Sequence, residues 1–134
     1  MLTDTGPIVA IIDKRDIHHK ICTDFLKTLR SPMITTWPCL TEAAHLLRSV
    51  GGWTYVLDLW RLREVGALRI HHPCEMELNR IRVLMEKYQD TPCDLADASI
   101  VATAVALGVR KIFTRDSHYY AFLLEDKFAF KVLP

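Results

Sequence analysis

Four acidic side chains have types and positions that could do chemistry together: Asp4 in "MLTDTG", Glu42 in "TTWPCLTEAAHLL", Asp97 in "PCDLADASIVATA" and Asp116 in "IFTRDSH". Carboxylates gathered in one pocket repel, each pair at about 5 Å by roughly 3 kcal/mol at an effective dielectric of about 20. Such a cluster needs a cation or protonation. Oxygen ligands without paired Cys or His select Mg²⁺ or Mn²⁺ over zinc. Mg²⁺ keeps several waters and takes one or two carboxylates directly, which leaves the other acids to act through water or to hold a second ion.

Each acid also has a purely structural reading. Asp4 and Asp116 precede expected helix starts, where a carboxylate accepts backbone N–H groups and stabilises by roughly 1 kcal/mol. Glu42 is compatible with a solvated helix face. Asp94 and Asp97 enter a helix as Asp-x-x-Asp, a capping box with Asp in place of the usual Glu. On that reading Asp94 caps and Asp97 answers it.

Whether the acids can meet depends on the elements that carry them. Short apolar or β-branched runs alternate with stretches of helical period, without a Ser/Gly-rich linker, low-complexity tract or internal repeat. This predicts an α/β fold with a central, mostly parallel sheet of about five strands flanked by helices. The expected strands are Met1–Asp4, Met33–Thr36, Leu68–His71, Lys111–Thr114 and Phe128–Leu133. The expected helices are Pro7–Lys14, Ile17–Arg30 after a cap at Asp16, Pro38–Val50, Trp53–Val65 after a break at Gly51-Gly52, Glu75–Gln89, and Asp94–Leu107 with Gly108 as its C-terminal cap. In open parallel sheets ligands sit outside the carboxyl ends of the strands, where the strand order reverses. Asp4 and Asp116 fall at such ends, and the helices of Glu42 and Asp97 can face the same edge.

Composition bounds the remainder. A chain of 134 residues with 50% hydrophobic content can bury one real core, so a single domain over residues 1–134 is expected. Seventeen Lys+Arg against sixteen Asp+Glu leave a formal charge of +1, so any nucleic-acid contact must come from a local patch. Cys22, Cys39, Cys74 and Cys93 form no C-x-x-C pair and follow no secretory signal, which predicts reduced thiols, mostly in the core of a cytoplasmic protein. No apolar run approaches the roughly 20 residues of a membrane span.

The segments "LTDTG", "TEAAHLL", "DLADASIVATA" and "IFTRD" resemble, in order and spacing, the PIN-domain nucleases, above all the VapC-type toxins of bacterial toxin–antitoxin pairs. The likeness extends through "IVAIIDKRDIHHK" and "TTWPCLTEAAHLLRSVGG" over nearly the whole chain. It implies a three-layer PIN-like fold, with Asp4, Glu42, Asp97 and Asp116 as the catalytic, metal-binding acids. Thr5 and Thr114 match hydroxyl positions beside them, and Asp94 an accessory acid. The implied activity is Mg²⁺- or Mn²⁺-dependent endoribonuclease cleavage, a metal-activated water hydrolysing RNA phosphodiester bonds. The implied partners are a second copy in a homodimer and an antitoxin whose tail occludes the acids. Two features depart from the family pattern: only three residues precede Asp4, and Ser117-His118-Tyr119 follows Asp116 where relatives more often place an acid and a phenylalanine.

Other residues carry weaker signals. Arg115 is a candidate phosphate contact, although Arg110, Lys111 and Arg115 also fit a solvated flank. His118 could contact phosphate or serve as an acid for the leaving group. His18-His19, His71-His72 and His45 lack zinc-ligand spacing. Trp37, Trp53 and Trp60 could stack bases, but Trp53 and Trp60, seven apart, favour one buried stripe at a helix or dimer contact. The main rival is a non-catalytic PIN-like module binding RNA or a protein, which loss of an acid would favour; none is lost. A phosphatase that phosphorylates an aspartate wants Asp-x-Asp after the first strand, and the chain reads Asp4-Thr5-Gly6.

Overall fold

In the computed structural model, residues 1–124 and 128–134 are described. They run β1 (Leu2–Thr3), α1 (Thr5–Ile12), α2 (His19–Thr28), β2 (Met33–Thr36), α3 (Trp37–Glu64), β3 (Leu68–His71), α4 (Glu75–Lys87), α5 (Leu95–Leu107), β4 (Lys111–Phe113), a 3-10 turn (Ser117–Tyr120), β5 (Leu123–Leu124), β6 (Phe128–Ala129) and β7 (Lys131–Leu133). Five strands pair in parallel in the order β3-β2-β1-β4-β7. Leu2 of β1 faces Ile34 on one side and Ile112 on the other, so the strand order reverses at β1.

Strand periodicity splits the core in two. Leu2 and Ile112 point to the face covered by α5, joining Ile100, Val101, Tyr119, Phe122 and Phe130. Met33, Leu68 and Phe113 point to the opposite face, where they meet Ile8, Leu40, Leu47 and Leu59 of α1 and α3. The result is the expected three-layer α/β arrangement. Helix α5 is apolar all round because it is covered twice: Ile100 and Val101 meet the core on the sheet, while Ala98 and Ala102 meet Ile81 of α4.

Several boundaries differ from the sequence-based expectation. Helix α1 begins at Thr5 instead of Pro7, because Asp4 caps it. Asp16 accepts a bond from the His18 N–H at 2.7 Å, but α2 starts only at His19 and has no side-chain cap. The two helices expected on either side of Gly51-Gly52 form one run, yet Gly52 (φ 67°, ψ −156°) kinks it where the break was expected, in a conformation that favours glycine. The strand expected over Phe128–Leu133 divides, since β6 pairs antiparallel with β5 while β7 joins β4, with buried Phe130 between them. Gly108 caps α5 with φ 62°, as expected. Cys22 and Cys39 are core residues and Cys93 is half-buried, whereas Cys74 is exposed at the start of α4. Among the described residues, no helix is long and apolar enough to cross a membrane.

Candidate active site

Asp4 stands where β1 passes into α1, and its two oxygens do different things. Oδ1 accepts the Thr5 backbone N–H at 2.6 Å, and Oδ2 accepts the Thr114 hydroxyl at 2.9 Å. The side chain is only 9% exposed. Burial pushes its pKa up to about 6 against both hydrogen bonds, and the charges of Asp97 and Asp116 push the same way.

Thr114, at the end of β4, joins this acid to the next. Its hydroxyl donates to Asp4 and accepts the Asp116 backbone N–H at 2.9 Å, so one buried side chain holds both segments. Asp116 then caps the 3-10 turn, its Oδ1 accepting the His118 backbone N–H at 2.8 Å, with His118 Nδ1 at 3.1 Å.

Glu42 lies in the early turns of α3, and Thr5 reaches it across 37 residues of chain, donating its hydroxyl to Oε2 at 2.7 Å. Asp94 and Asp97 form the reciprocal cap read from their spacing: Asp94 Oδ1 accepts the Asp97 N–H at 3.0 Å, and Asp97 Oδ2 accepts the Asp94 N–H at 3.1 Å. Burial raises the pKa of Asp97, and the charges of Asp94 and Asp116 add to it.

Asp4, Thr5, Glu42, Asp94, Asp97, Arg115 and Asp116 all wall one cavity of about 470 Å³ at the carboxyl edge of the sheet. Thr114 is buried and reaches it through Asp4 and Asp116, while His118 meets Asp116 and does not line the wall. Three of the other five histidines are engaged separately: His19 with the Ala10 carbonyl at 2.7 Å, His71 with Glu77 at 2.6 Å, and His72 with the Trp37 indole at 3.1 Å. Trp53 and Trp60 are 58% and 39% exposed, so among the described residues their stripe is not buried at a helix contact, and the dimer contact, the other place expected for it, would need a second copy of the chain.

Tyr119, named in the sequence only within a stretch that departs from the family pattern, was given no role there. It is fully buried, and its hydroxyl has no well-formed hydrogen bond. Burial first, then the charges of Asp4, Cys39 and Asp97, drive its ionisation far upward, so it stays a neutral phenol beside the acids. The one signal that could have drawn attention to it is its place in Ser117-His118-Tyr119, the stretch that departs from the family pattern.

Among the described residues, no three His, Cys, Asp or Glu side chains converge closely enough to enclose an ion by themselves. The donor set nevertheless fits a hydrated hard cation, which needs only one or two direct carboxylates and fills the other positions with water. The upward push on both Asp4 and Asp97 marks a place where the protein's own groups leave electrostatic demand unmet.

Solved structures with a similar fold include VapC20 of Mycobacterium tuberculosis, a sarcin-ricin loop cleaving toxin. It superposes with a TM-score of 0.82 at 16% identity, over 90% of this chain and 92% of that one. A toxin–antitoxin complex from Klebsiella pneumoniae matches with a TM-score of 0.66 at 19% identity, over 99% of this chain and 95% of that one. No curated protein matches the chain. The PIN domain family model covers residues 1–122, a span that includes every acid of the cavity; the chain belongs to the PIN domain family.

Proposed function

We propose that this chain is a metal-dependent endoribonuclease, one domain over residues 1–134, that hydrolyses RNA phosphodiester bonds as the toxin of a toxin–antitoxin pair. The observation that carries this reading is the meeting of Asp4, Glu42, Asp97 and Asp116, from four separate segments, around one polar cavity at the point of strand reversal. The names of the two structural neighbours support it.

Asp4, Asp97, Asp116 and Glu42 would hold Mg²⁺ or Mn²⁺. When bound, the ion supplies a water of lowered pKa and neutralises phosphate charge. The chain's own work is positional. Thr114 orients Asp4 and the Asp116 backbone together, Thr5 holds Glu42 toward the cavity, and Asp94 steadies Asp97. Arg115 on the cavity wall offers the phosphate a cation, and His118 holds Asp116 in place. Chemistry of this kind needs oriented acids and no dedicated His or Lys base. The partners proposed are an antitoxin that covers the acids and a second copy of the chain, in the cytoplasm.

The test compares RNA cleavage by the wild type with Asp4→Asn and Asp97→Asn, with and without EDTA. Cleavage should require both acids and the metal. Activity that survives both substitutions or persists in EDTA overturns the reading, and RNA binding without cleavage by the wild type points to a non-catalytic module.

A further inference from the structure

The acid cavity continues sideways. Glu42, Asp94 and Ala96 also wall an adjoining open cleft that passes Thr41 and His45 to reach Trp37. Trp37 in turn walls a third hollow, about 520 Å³, along the edge strand β3, shared with Trp60, Arg63, Arg69 and His72. Trp37 and Glu42 are five residues apart on α3, about 7.5 Å of helix at 1.5 Å per residue. The hollow therefore begins close to the acids.

Its wall is built for a flat, negatively charged ligand. The Trp37 indole N–H donates to His72 Nδ1 at 3.1 Å, which fixes the ring, yet 42% of the residue stays exposed. Trp60 is 39% exposed on the same wall. Arg63 and Arg69 make no ion pair among the described residues, and Glu64 is the acid beside them. With an overall charge of only +1, RNA must find its cations in a local patch, and here two guanidinium groups accompany two open indoles.

We infer that this hollow is a nucleotide subsite: single-stranded RNA cut at the acids continues over Thr41 and His45, stacks a base on Trp37, and sets its phosphates against Arg63 and Arg69. The inference rests on the ribonuclease reading and names where that substrate lies. Stacking on an aromatic face tolerates every base, so this subsite adds affinity and substrate length without choosing a sequence.

The test uses the full chain with two substrates, a long single-stranded RNA and a dinucleotide that spans only the scissile bond. Trp37→Ala and the double variant Arg63→Ala/Arg69→Ala should each raise KM for the long RNA about tenfold, with kcat unchanged and the dinucleotide unaffected. Trp37→Phe should recover most of the loss, and the double Arg variant should flatten the salt dependence of RNA binding, measured by anisotropy in the inactive Asp97→Asn background. Trp53→Ala, which removes an exposed indole outside the hollow, should change nothing. Wild-type KM in both variants, while the wild type still cuts RNA, overturns the subsite and leaves the ribonuclease reading standing. Equal losses on both substrates also overturn it, as does weakened binding of a protein partner with RNA binding intact. A wild type that neither binds nor cuts RNA overturns both.

Discussion

Two hollows lie on either side of the first turn of α5, and the larger is the poorer in chemistry. One, of about 760 Å³, is walled largely by carbon from Pro38, Leu78, Ile81, Met85 and Leu95. The other, of about 470 Å³, has Asp4, Glu42, Asp94, Asp97 and Asp116 on its wall. Volume therefore does not mark the site. An apolar groove exposed to water asks only to be covered, whereas partly desolvated carboxylates resist their own ionisation and so favour an ion that relieves them.

The strongest way to break this contrast is to neutralise one side of it. Asp97→Asn should lower RNA cleavage by at least about a hundredfold, above the roughly 10- to 100-fold that losing an outer-shell partner costs. Circular dichroism should show the variant folded, because Asn can still cap. Met85→Glu and Leu78→Ser in the apolar groove should leave cleavage unchanged, and a comparable loss there would erase the distinction.

The acid side should also respond to pH. The Asp4 pKa rises from 3.8 to about 6 in the folded chain, mainly through burial, which corresponds to about 3 kcal/mol. Below the lower value Asp4 is protonated in both states and nothing is lost. As pH rises through about 6 the folded chain must hold a disfavoured charge, so without metal its Tm should fall between roughly pH 4 and 7. Asp4→Asn should make that fall smaller, leaving the part due to Asp97, whose pKa is raised in the same direction, and cleavage by the wild type should rise over the same interval as Asp4 ionises.

A divalent ion sharpens the same point. Mn²⁺ at a hundred times its Kd should stabilise the wild type by about 2.7 kcal/mol at neutral pH, read as a raised Tm, and Asp97→Asn should lose most of that gain.

Thr114→Val should cost about 1–3 kcal/mol by stripping Asp4 of a donor and the Asp116 N–H of an acceptor. Loss of the bond that favours ionised Asp4 should move the pH–rate midpoint upward. The smallest effect belongs to the apolar side: Met85→Glu, at a position 37% exposed, should alter stability by no more than about 0.5 kcal/mol in chemical denaturation.

Much of the scaffold was legible because its signals are local. The Asp94–Asp97 cap, the left-handed Gly108 and the Gly52 kink each depend on a few neighbouring residues, and all three occur where the spacing predicts them. The division of Phe128–Leu133 was not legible, since a run of six residues cannot say which partner strand each half will meet. Trp53 and Trp60 show the same limit: helical spacing tells that they share a face, and packing, within the chain or against a second copy, decides whether that face is covered.

For the candidate site, the sequence by itself determined the residue types and the segments that carry them: four acids, each near a strand end or an early helix turn. Only the tertiary structure decided their state. Thr5 meets Glu42 across 37 residues and Thr114 meets Asp4 across 110, while Tyr119 brings a neutral hydroxyl that no motif announces. A carboxylate's charge depends on how much water it keeps and which neighbours replace the rest. Both are set when distant segments pack, and a linear order of residues does not contain them.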